Sequence, residues 1–177
     1  MLLGYQVPQI AGRGQIYSAK ASITSPVIYS TAAGTGGPLL YNPTGSGVTA
    51  YLIAMSYGLT TASSVAGSVG IAGGISVAPT STTAIDISGA MNLSLPSQAA
   101  GCSVYNKGTV TGAPKFYMPT GRVHTGAVTV DTDDDNFIHF GAGIIIPPGA
   151  WAACSAGATL TSAVIDFGLV WIEVQND

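Results

Sequence analysis

The main cluster of charged side chains is an acidic run at residues 131–136. In it, Asp131, Asp133 and Asp135 have the spacing of the first three ligands of an EF-hand calcium loop. That loop also needs glycine at its sixth position and glutamate at its twelfth, where this sequence has asparagine and alanine. An EF-hand is therefore excluded. Two interpretations remain: a looser calcium site at an inter-subunit loop, or a solvated hairpin turn whose charges oppose strand aggregation. We favour the turn and predict no metal or other cofactor.

The histidines and serines show no recognisable catalytic pattern. No serine lies in a Gly-x-Ser-x-Gly motif, and His124 and His139 both lie in strand-like sequence. Spacing alone allows a hydrolytic triad of His139, Asp135 and a serine. An exposed or hydrogen-bonded strand histidine explains the pattern more simply, because His139 alternates with apolar neighbours. We predict that the protein is not an enzyme.

The two cysteines, Cys102 and Cys154, are far apart in the sequence and lack the short-spaced partner that a zinc site needs. One disulfide between them is the alternative to two free thiols. We favour free, buried thiols, because an unpaired cysteine packs as a small hydrophobic residue.

Aromatic residues offer a further kind of chemistry. Tyrosine suits a sugar-binding surface, but it suits protein interfaces and strand faces equally well. Both interpretations stay open for the eight tyrosines, which are Tyr5, Tyr17, Tyr29, Tyr41, Tyr51, Tyr57, Tyr105 and Tyr117.

The composition is poor in charge and rich in apolar residues. Charged residues make up 7% of the chain and hydrophobic ones 47%, whereas ordinary soluble domains have roughly 25% charged residues. Disorder is excluded, because disordered chains have the opposite bias. The five basic residues are scattered and the net charge is −3, so we predict neither nucleic-acid binding nor a polybasic membrane site.

The elements that must position these residues are strands. Glutamate, a strong helix former, occurs once, while glycine, serine, threonine, alanine and valine dominate. Residues 48–57 have a period of two, which predicts a strand with one buried face, and residues 162–175 form a long apolar strand. In the first of these strands, the alternating sets are Tyr51, Ile53, Met55 and Tyr57 on one face and Leu52, Ala54 and Ser56 on the other. Further strands are predicted at residues 15–17, 25–30, 38–41, 64–77, 84–87, 102–105, 109–111, 123–130, 137–140, 143–146 and 151–155.

Many short strands separated by turns predict an all-β fold. We expect a jelly-roll-like β-sandwich, with an open Greek-key barrel as the alternative. Residues 1–20 are predicted to be an extended N-terminal arm and residues 21–177 the sandwich domain. The last strand is expected in the sandwich core or at a subunit interface.

A surface with so few charges has weak protection against association, and burial in an oligomer removes that weakness. We therefore expect the chain to assemble with other protein surfaces. The residues predicted to take part are those of the arm and of the last strand: Leu2, Leu3, Tyr5, Val7, Ile10, Leu169 and Trp171.

Three segments have distinctive turn and strand signatures: residues 40–47 (LYNPTGSG), residues 146–151 (IPPGAW) and the closing strand at residues 168–174 (GLVWIEV). Together they resemble elements of tailed-bacteriophage virion structural proteins. The chain departs from the pattern at Val48-Thr49, where a lysine or arginine is common.

The resemblance implies a jelly-roll decoration or cement protein, which trimerises and binds the major capsid protein on the capsid exterior. The arm and one sandwich edge would bridge capsid subunits. The alternative is a receptor- or glycan-binding head of a phage fibre or tail protein. A cupin-like jelly-roll enzyme is a third hypothesis, but its expected cluster of histidine and glutamate is missing.

Overall fold

A computed structural model describes residues 15–26, 37–85, 100–111, 113–123, 125 and 136–176. These residues form ten β-strands. The strands are β1 (Gln15–Thr24), β2 (Leu39–Tyr41), β3 (Val48–Thr61), β4 (Gly67–Ile75), β5 (Thr80–Ala84), β6 (Ser103–Thr109), β7 (Phe116–Val123), β8 (Asn136–Ile146), β9 (Ala150–Ala156) and β10 (Val164–Gln175).

The strands make two sheets, and every strand pair is antiparallel. One sheet has the order β1-β10-β3-β8, and the other has the order β5-β6-β2-β9-β4-β7. Four of the pairs are nested along the chain: β1 with β10, β2 with β9, β3 with β8, and β4 with β7. The chain thus folds as one long hairpin that is rolled up, with β10 joining β3 and β9 joining β4.

This nesting is the arrangement of a jelly roll. The predicted all-β, jelly-roll-like sandwich is confirmed, and the open Greek-key barrel is not formed. The β5–β6 hairpin is an addition that extends the six-stranded sheet beyond β2.

The main core lies between the two sheets and follows from the alternation of side chains along each strand. On β10, Phe167, Leu169 and Trp171 face inward and are at most 1% exposed. Leu52 and Met55 on β3 meet them from the neighbouring strand and are fully buried. The long apolar C-terminal strand therefore belongs to the sandwich core.

A smaller apolar cluster covers the outer face of the six-stranded sheet around Trp151. The segment after β6 closes over it: Thr111 N–H donates to Ser76 Oγ at 2.8 Å, and Lys115 N–H donates to the Gly73 carbonyl at 2.7 Å. This cover explains why every residue of β9 is buried on both faces of the sheet.

The structure corrects several predicted boundaries. Residues 15–20 belong to β1 rather than to an arm, because they pair with β10, while residues 1–14 lie outside the described residues. Residues 137–146 form one strand instead of two, and residues 102–111 contain one strand, β6. Strand β7 was not predicted; the strand expected at residues 123–130 begins where β7 ends, and residues 126–130 are not described.

Candidate interaction surface

Large apolar side chains remain exposed on two edge strands. Strand β8 ends the four-stranded sheet and strand β7 ends the six-stranded sheet. We name their exposed residues the apolar edge surface: Phe116, Tyr117 and Met118 on β7, and Phe137 and Ile145 on β8. Phe137 is 69% exposed and Ile145 is 62% exposed, which is unusual for residues of this size.

The two edge strands lie on the same side of the sandwich. Asn136 of β8 donates a 2.7 Å hydrogen bond to the hydroxyl of Tyr57 on β3. The same hydroxyl lies against Gly121 of β7, where a Cβ atom would collide with it. Thr120 of β7 also contacts the Met55 sulfur of β3, at 3.7 Å. The apolar edge surface therefore borders one side of the molecule.

Strand β8 contains a wide interruption in its pairing with β3. His139 pairs with Ala54 and Ile144 pairs with Leu52, so residues 140–143 stand opposite a single residue of β3. Gly141 and Gly143 supply positive φ angles of 62° and 86°, which glycine adopts at little cost. Strand β8 is an edge strand and has no charged residue that would prevent another strand from pairing with it. The bulge bends the strand, and a bent edge opposes the uncontrolled addition of a further strand.

Strand β7 has a proline where its partner has a glycine. Pro119 pairs with Gly70 of β4, and a Cβ atom on Gly70 would lie 2.8 Å from the Pro119 Cα. A proline is tolerated at this position because β7 is an edge strand, whose outward N–H groups need no ladder partner. Pro119 thus hinders the pairing of another strand with β7, while Phe116 and Met118 keep this edge of the sheet apolar.

Charge offers little protection to this surface. Glu173 is buried, and the exposed charged side chains among the described residues are Lys20, Lys107, Lys115, Arg122 and Asp166. On strands β7 and β8 only Arg122 is charged. An apolar area with so little charge on its own strands is typical of surfaces that are covered by a partner.

The buried side chain of Asn42 holds together two turn segments, at residues 40–47 and 146–151. Its amide group donates to the carbonyls of Val48 at 2.9 Å and Ile146 at 2.8 Å, and its oxygen accepts a 2.5 Å bond from Ser46 Oγ. Its backbone N–H donates to the Ala150 carbonyl at 3.0 Å. The β2–β3 turn and the β8–β9 turn therefore form one rigid end of the sandwich.

A second polar cluster surrounds Glu173, which is 5% exposed. Its carboxylate accepts hydrogen bonds from the backbone N–H groups of Gly101 at 2.6 Å and Cys102 at 3.1 Å, and from Trp171 Nε1 at 2.9 Å. Burial and the adjacent carboxylate raise the pKa of the Cys102 thiol. Burial also raises the pKa of the Tyr17 hydroxyl. The Tyr17 ring stacks on Trp171, with ring centroids 5.7 Å apart. The cluster joins the start of β6 to β10 across the two sheets.

The structure places Leu169 and Trp171 in the core, both at 0% exposure, so neither is available as an interface residue of the folded chain. The other predicted interface residues, Leu2, Leu3, Tyr5, Val7 and Ile10, lie outside the described residues. So do the three calcium candidates Asp131, Asp133 and Asp135.

The predicted histidine and cysteine sites do not come together in the described part of the chain. His139 is exposed, and its Nδ1 accepts a 3.1 Å hydrogen bond from Gly141 N–H, while His124 is not described. Cys102 and Cys154 are free and buried, as predicted. Within the part of the chain that the structure covers, His, Cys, Asp and Glu form no group of three that could hold a metal ion.

The tyrosines that the structure describes are not gathered on one exposed surface. Tyr17, Tyr41 and Tyr57 are 2–4% exposed, whereas Tyr117 is exposed on the edge strand β7. Tyr5 and Tyr29 are not described. The exposed aromatic residues that sequence analysis missed are phenylalanines: Phe116 lies in a segment not predicted as a strand, and Phe137 was predicted to be in a strand without its face being known.

Comparisons with protein-family models, curated proteins and solved structures found no significant match to this chain. Across the described residues, no helix is long and apolar enough to cross a membrane.

Proposed function

We propose that this protein is a non-enzymatic structural subunit of a tailed-phage virion, which assembles as a homotrimer and decorates the capsid exterior. The observation that carries the proposal is the apolar edge surface. Five large apolar side chains are exposed on two edge strands that together carry one charged residue, Arg122. A stable oligomer that covers Phe116, Tyr117, Met118 and Ile145 would remove most of the cost of exposing this area to water.

The fold is compatible with this role. Jelly rolls occur in viral capsid proteins and lectins as well as in cupin enzymes. In the described chain, the Asn42 amide hydrogen-bonds to the start of β3 and to the end of β8, and so joins two of the segments that resemble virion proteins. This supports a mechanical role, because these buried hydrogen bonds must break before this end of the sandwich can open.

In this proposal the partner is the major capsid protein, and neither nucleic acid nor a membrane is involved. The apolar residues before β1, which are Leu2, Leu3, Tyr5, Val7 and Ile10, are the proposed contact with the capsid. Several weak contacts made by one trimer would add up to stable attachment.

Light scattering coupled to size exclusion tests the assembly. The expected mass is three times that of the 17.7 kDa chain. A well-behaved monomer at micromolar concentration would contradict the proposal. Attachment is tested separately: deletion of residues 1–12 is expected to abolish binding to capsids and to leave the trimer intact, and unchanged binding would remove these residues from the proposal.

A further inference from the structure

A row of four residues crosses the outer face of the four-stranded sheet. Lys20 of β1 pairs with Gly168 of β10, Gly168 pairs with Ser56 of β3, and Ser56 pairs with Phe137 of β8. Direct cross-strand partners point to the same face of a sheet. The row therefore begins at the ammonium-bearing Lys20 and ends at the aromatic Phe137. The backbones of these two residues are about 14 Å apart at the usual strand spacing.

A second row lies two residues further along the same face. Asp166 of β10 pairs with Ser22 of β1 on one side and with Gly58 of β3 on the other. The Ser22 hydroxyl donates a hydrogen bond to Oδ1 of Asp166, which orients the carboxylate. The two rows together bring one ammonium, one carboxylate and one exposed aromatic ring to a single area.

Between them lies an open groove of about 440 Å³, and Asn136 also lines it. Its floor is low because Gly58 and Gly168 have no side chains. A Cβ atom on Gly168 would lie only 2.6 Å from Ser56 Oγ, so the glycine keeps the floor open. Phe137 forms one wall, and a smaller recess of about 190 Å³ continues past Lys20 and Asp166 on the other side.

We propose that this groove binds a neutral saccharide. A pyranose ring has an apolar face of C–H groups, which fits the flat face of Phe137, and hydroxyls that both donate and accept hydrogen bonds. Asp166 supplies acceptors, Lys20 supplies donors, and Ser56 supplies both. A concave site with an apolar wall and a few polar groups is the usual form of a small-ligand site.

The charges and the shape of the groove make ionic ligands and peptides less suitable than a neutral saccharide. One ammonium and one carboxylate cancel, so the groove does not favour an anion or a cation. The floor runs across the middle of a sheet, where backbone groups are already paired, so a peptide strand could not add to it. The groove also lacks a deep apolar recess for a peptide side chain, since its floor is made of glycine and serine.

This inference goes beyond the proposed decoration function. It uses Phe137 as a wall of the groove, so the oligomer would be held by the other residues of the apolar edge surface and would leave Phe137 open to the ligand. A capsid subunit with a saccharide groove would attach the particle to glycans in addition to stabilising the shell. A saccharide site would equally serve a fibre or tail head. Loss of the trimer would leave the groove intact, because all its described lining residues belong to one chain.

The test begins with the full chain on an array of neutral hexose and N-acetylhexosamine oligosaccharides. Hits are then measured by isothermal titration calorimetry, which reports affinity per site whatever the oligomeric state. Phe137→Ala and Asp166→Asn are each expected to weaken binding at least about tenfold. Phe137→Trp is expected to retain binding, because it keeps an aromatic face.

Ile145→Ala is the matched control, since Ile145 is exposed on the same strand but does not line the groove. It is expected to bind as the unmodified chain does. The inference fails if no neutral oligosaccharide binds at about 10 mM, if only charged glycans bind, or if Phe137→Ala leaves the affinity unchanged. Unfolding curves of each variant verify that lost binding does not result from lost folding.

Discussion

The amide of Asn42 donates a 2.8 Å hydrogen bond to the carbonyl of Ile146, which is 104 positions later in the sequence. The bond joins the turn between β2 and β3 to the turn between β8 and β9. The same amide binds the Val48 carbonyl, and Gly149 N–H returns a 2.7 Å bond to the Asn42 carbonyl. One fully buried side chain therefore fixes two connections of the nested hairpin.

Asn42→Ala is expected to lower the free energy of unfolding by about 3 kcal/mol. The substitution removes both hydrogen bonds donated by the Asn42 amide and the one that its oxygen accepts, and loss of buried hydrogen bonds is costly. The Ser46 hydroxyl and the Val48 carbonyl keep their 3.3 Å hydrogen bond with each other. Ser46→Ala is the control and is expected to cost about 1 kcal/mol. Urea unfolding measures both, and equal losses for the two variants would contradict a central role for Asn42.

The sequence predicts some strands of this fold correctly and others not. Alternation over β3 and the apolar run of β10 predicted both strands, because each has one face in the core. Strand β7 was not predicted, because Pro119 and Gly121 are typical of turns. In addition, the apolar residues of β7 do not alternate with polar ones along the strand. Strand β8 was divided in two, because Gly141 and Gly143 resemble a turn although they form a bulge within one strand.

The candidate groove could not be predicted from sequence in the same way. Lys20, Ser56, Phe137 and Asp166 lie on four different strands, and no short motif connects them. Their proximity depends on the pairing of β10 with both β1 and β3, a contact between the two ends of the chain. Local patterns predict which residues form strands, whereas the order of strands in a sheet depends on long-range packing.

Replacement of Glu173 is expected to loosen the contact between the two sheets. Glu173→Ala leaves three buried N–H donors without an acceptor and is expected to cost about 4 kcal/mol, while Glu173→Gln keeps one acceptor oxygen and is expected to cost about 2 kcal/mol. Gln175→Ala, on the same strand but exposed, is the control. Chemical unfolding followed by tryptophan fluorescence tests this order, and a neutral Glu173→Ala would refute it.

The two buried thiols are expected to make stability fall in alkaline solution. Burial raises the pKa of Cys102 and Cys154 above the ordinary value of 9.0, so above that pH the unfolded chain loses protons that the folded chain retains. Their contribution is complete below pH 9.0 and is lost as the pH rises, by about 1.4 kcal/mol per pH unit for each thiol.

Unfolding free energies at about pH 8 and about pH 10 measure this effect. The Cys102→Ala/Cys154→Ala double variant is the comparison, because it removes both thiols and keeps every other ionisable side chain. Its stability is expected to fall less steeply than that of the unmodified chain. Parallel pH profiles for the two proteins would exclude the thiols as the cause.

The two glycines of the β8 bulge are expected to differ in their tolerance of a side chain. Gly141→Ala incurs only the cost of a positive φ, about 1 kcal/mol, because a Cβ atom there has open space around it. Gly143→Ala adds contacts of 3.3 Å with the Leu52 carbonyl oxygen and the Tyr51 Cβ and is expected to cost about 2 kcal/mol. Thermal unfolding of both variants provides the measurement, and the reverse order would show that the bulge is arranged differently.

The apolar edge surface is expected to hold the oligomer together. Met118→Glu and Ile145→Lys place a charge on exposed side chains, so the single chain has no core packing to lose. In an assembly that covers these residues, the charge is removed from water without a partner, which costs several kcal/mol. Each variant is therefore expected to raise the dissociation constant at least about tenfold and to move the mass in light scattering toward that of one chain.

Thr82→Lys provides the control for this prediction. Thr82 is exposed on β5, the edge strand at the opposite side of the six-stranded sheet, where no large apolar side chain is found. An added charge on that strand is expected to leave the oligomer unchanged, because β5 itself carries only threonine, serine and alanine. If Thr82→Lys dissociates the oligomer and the β7 and β8 variants do not, the subunits meet through β5 and the apolar edge surface serves another purpose. If all three variants keep the full mass, the contact between subunits lies on none of the three edge strands β5, β7 and β8.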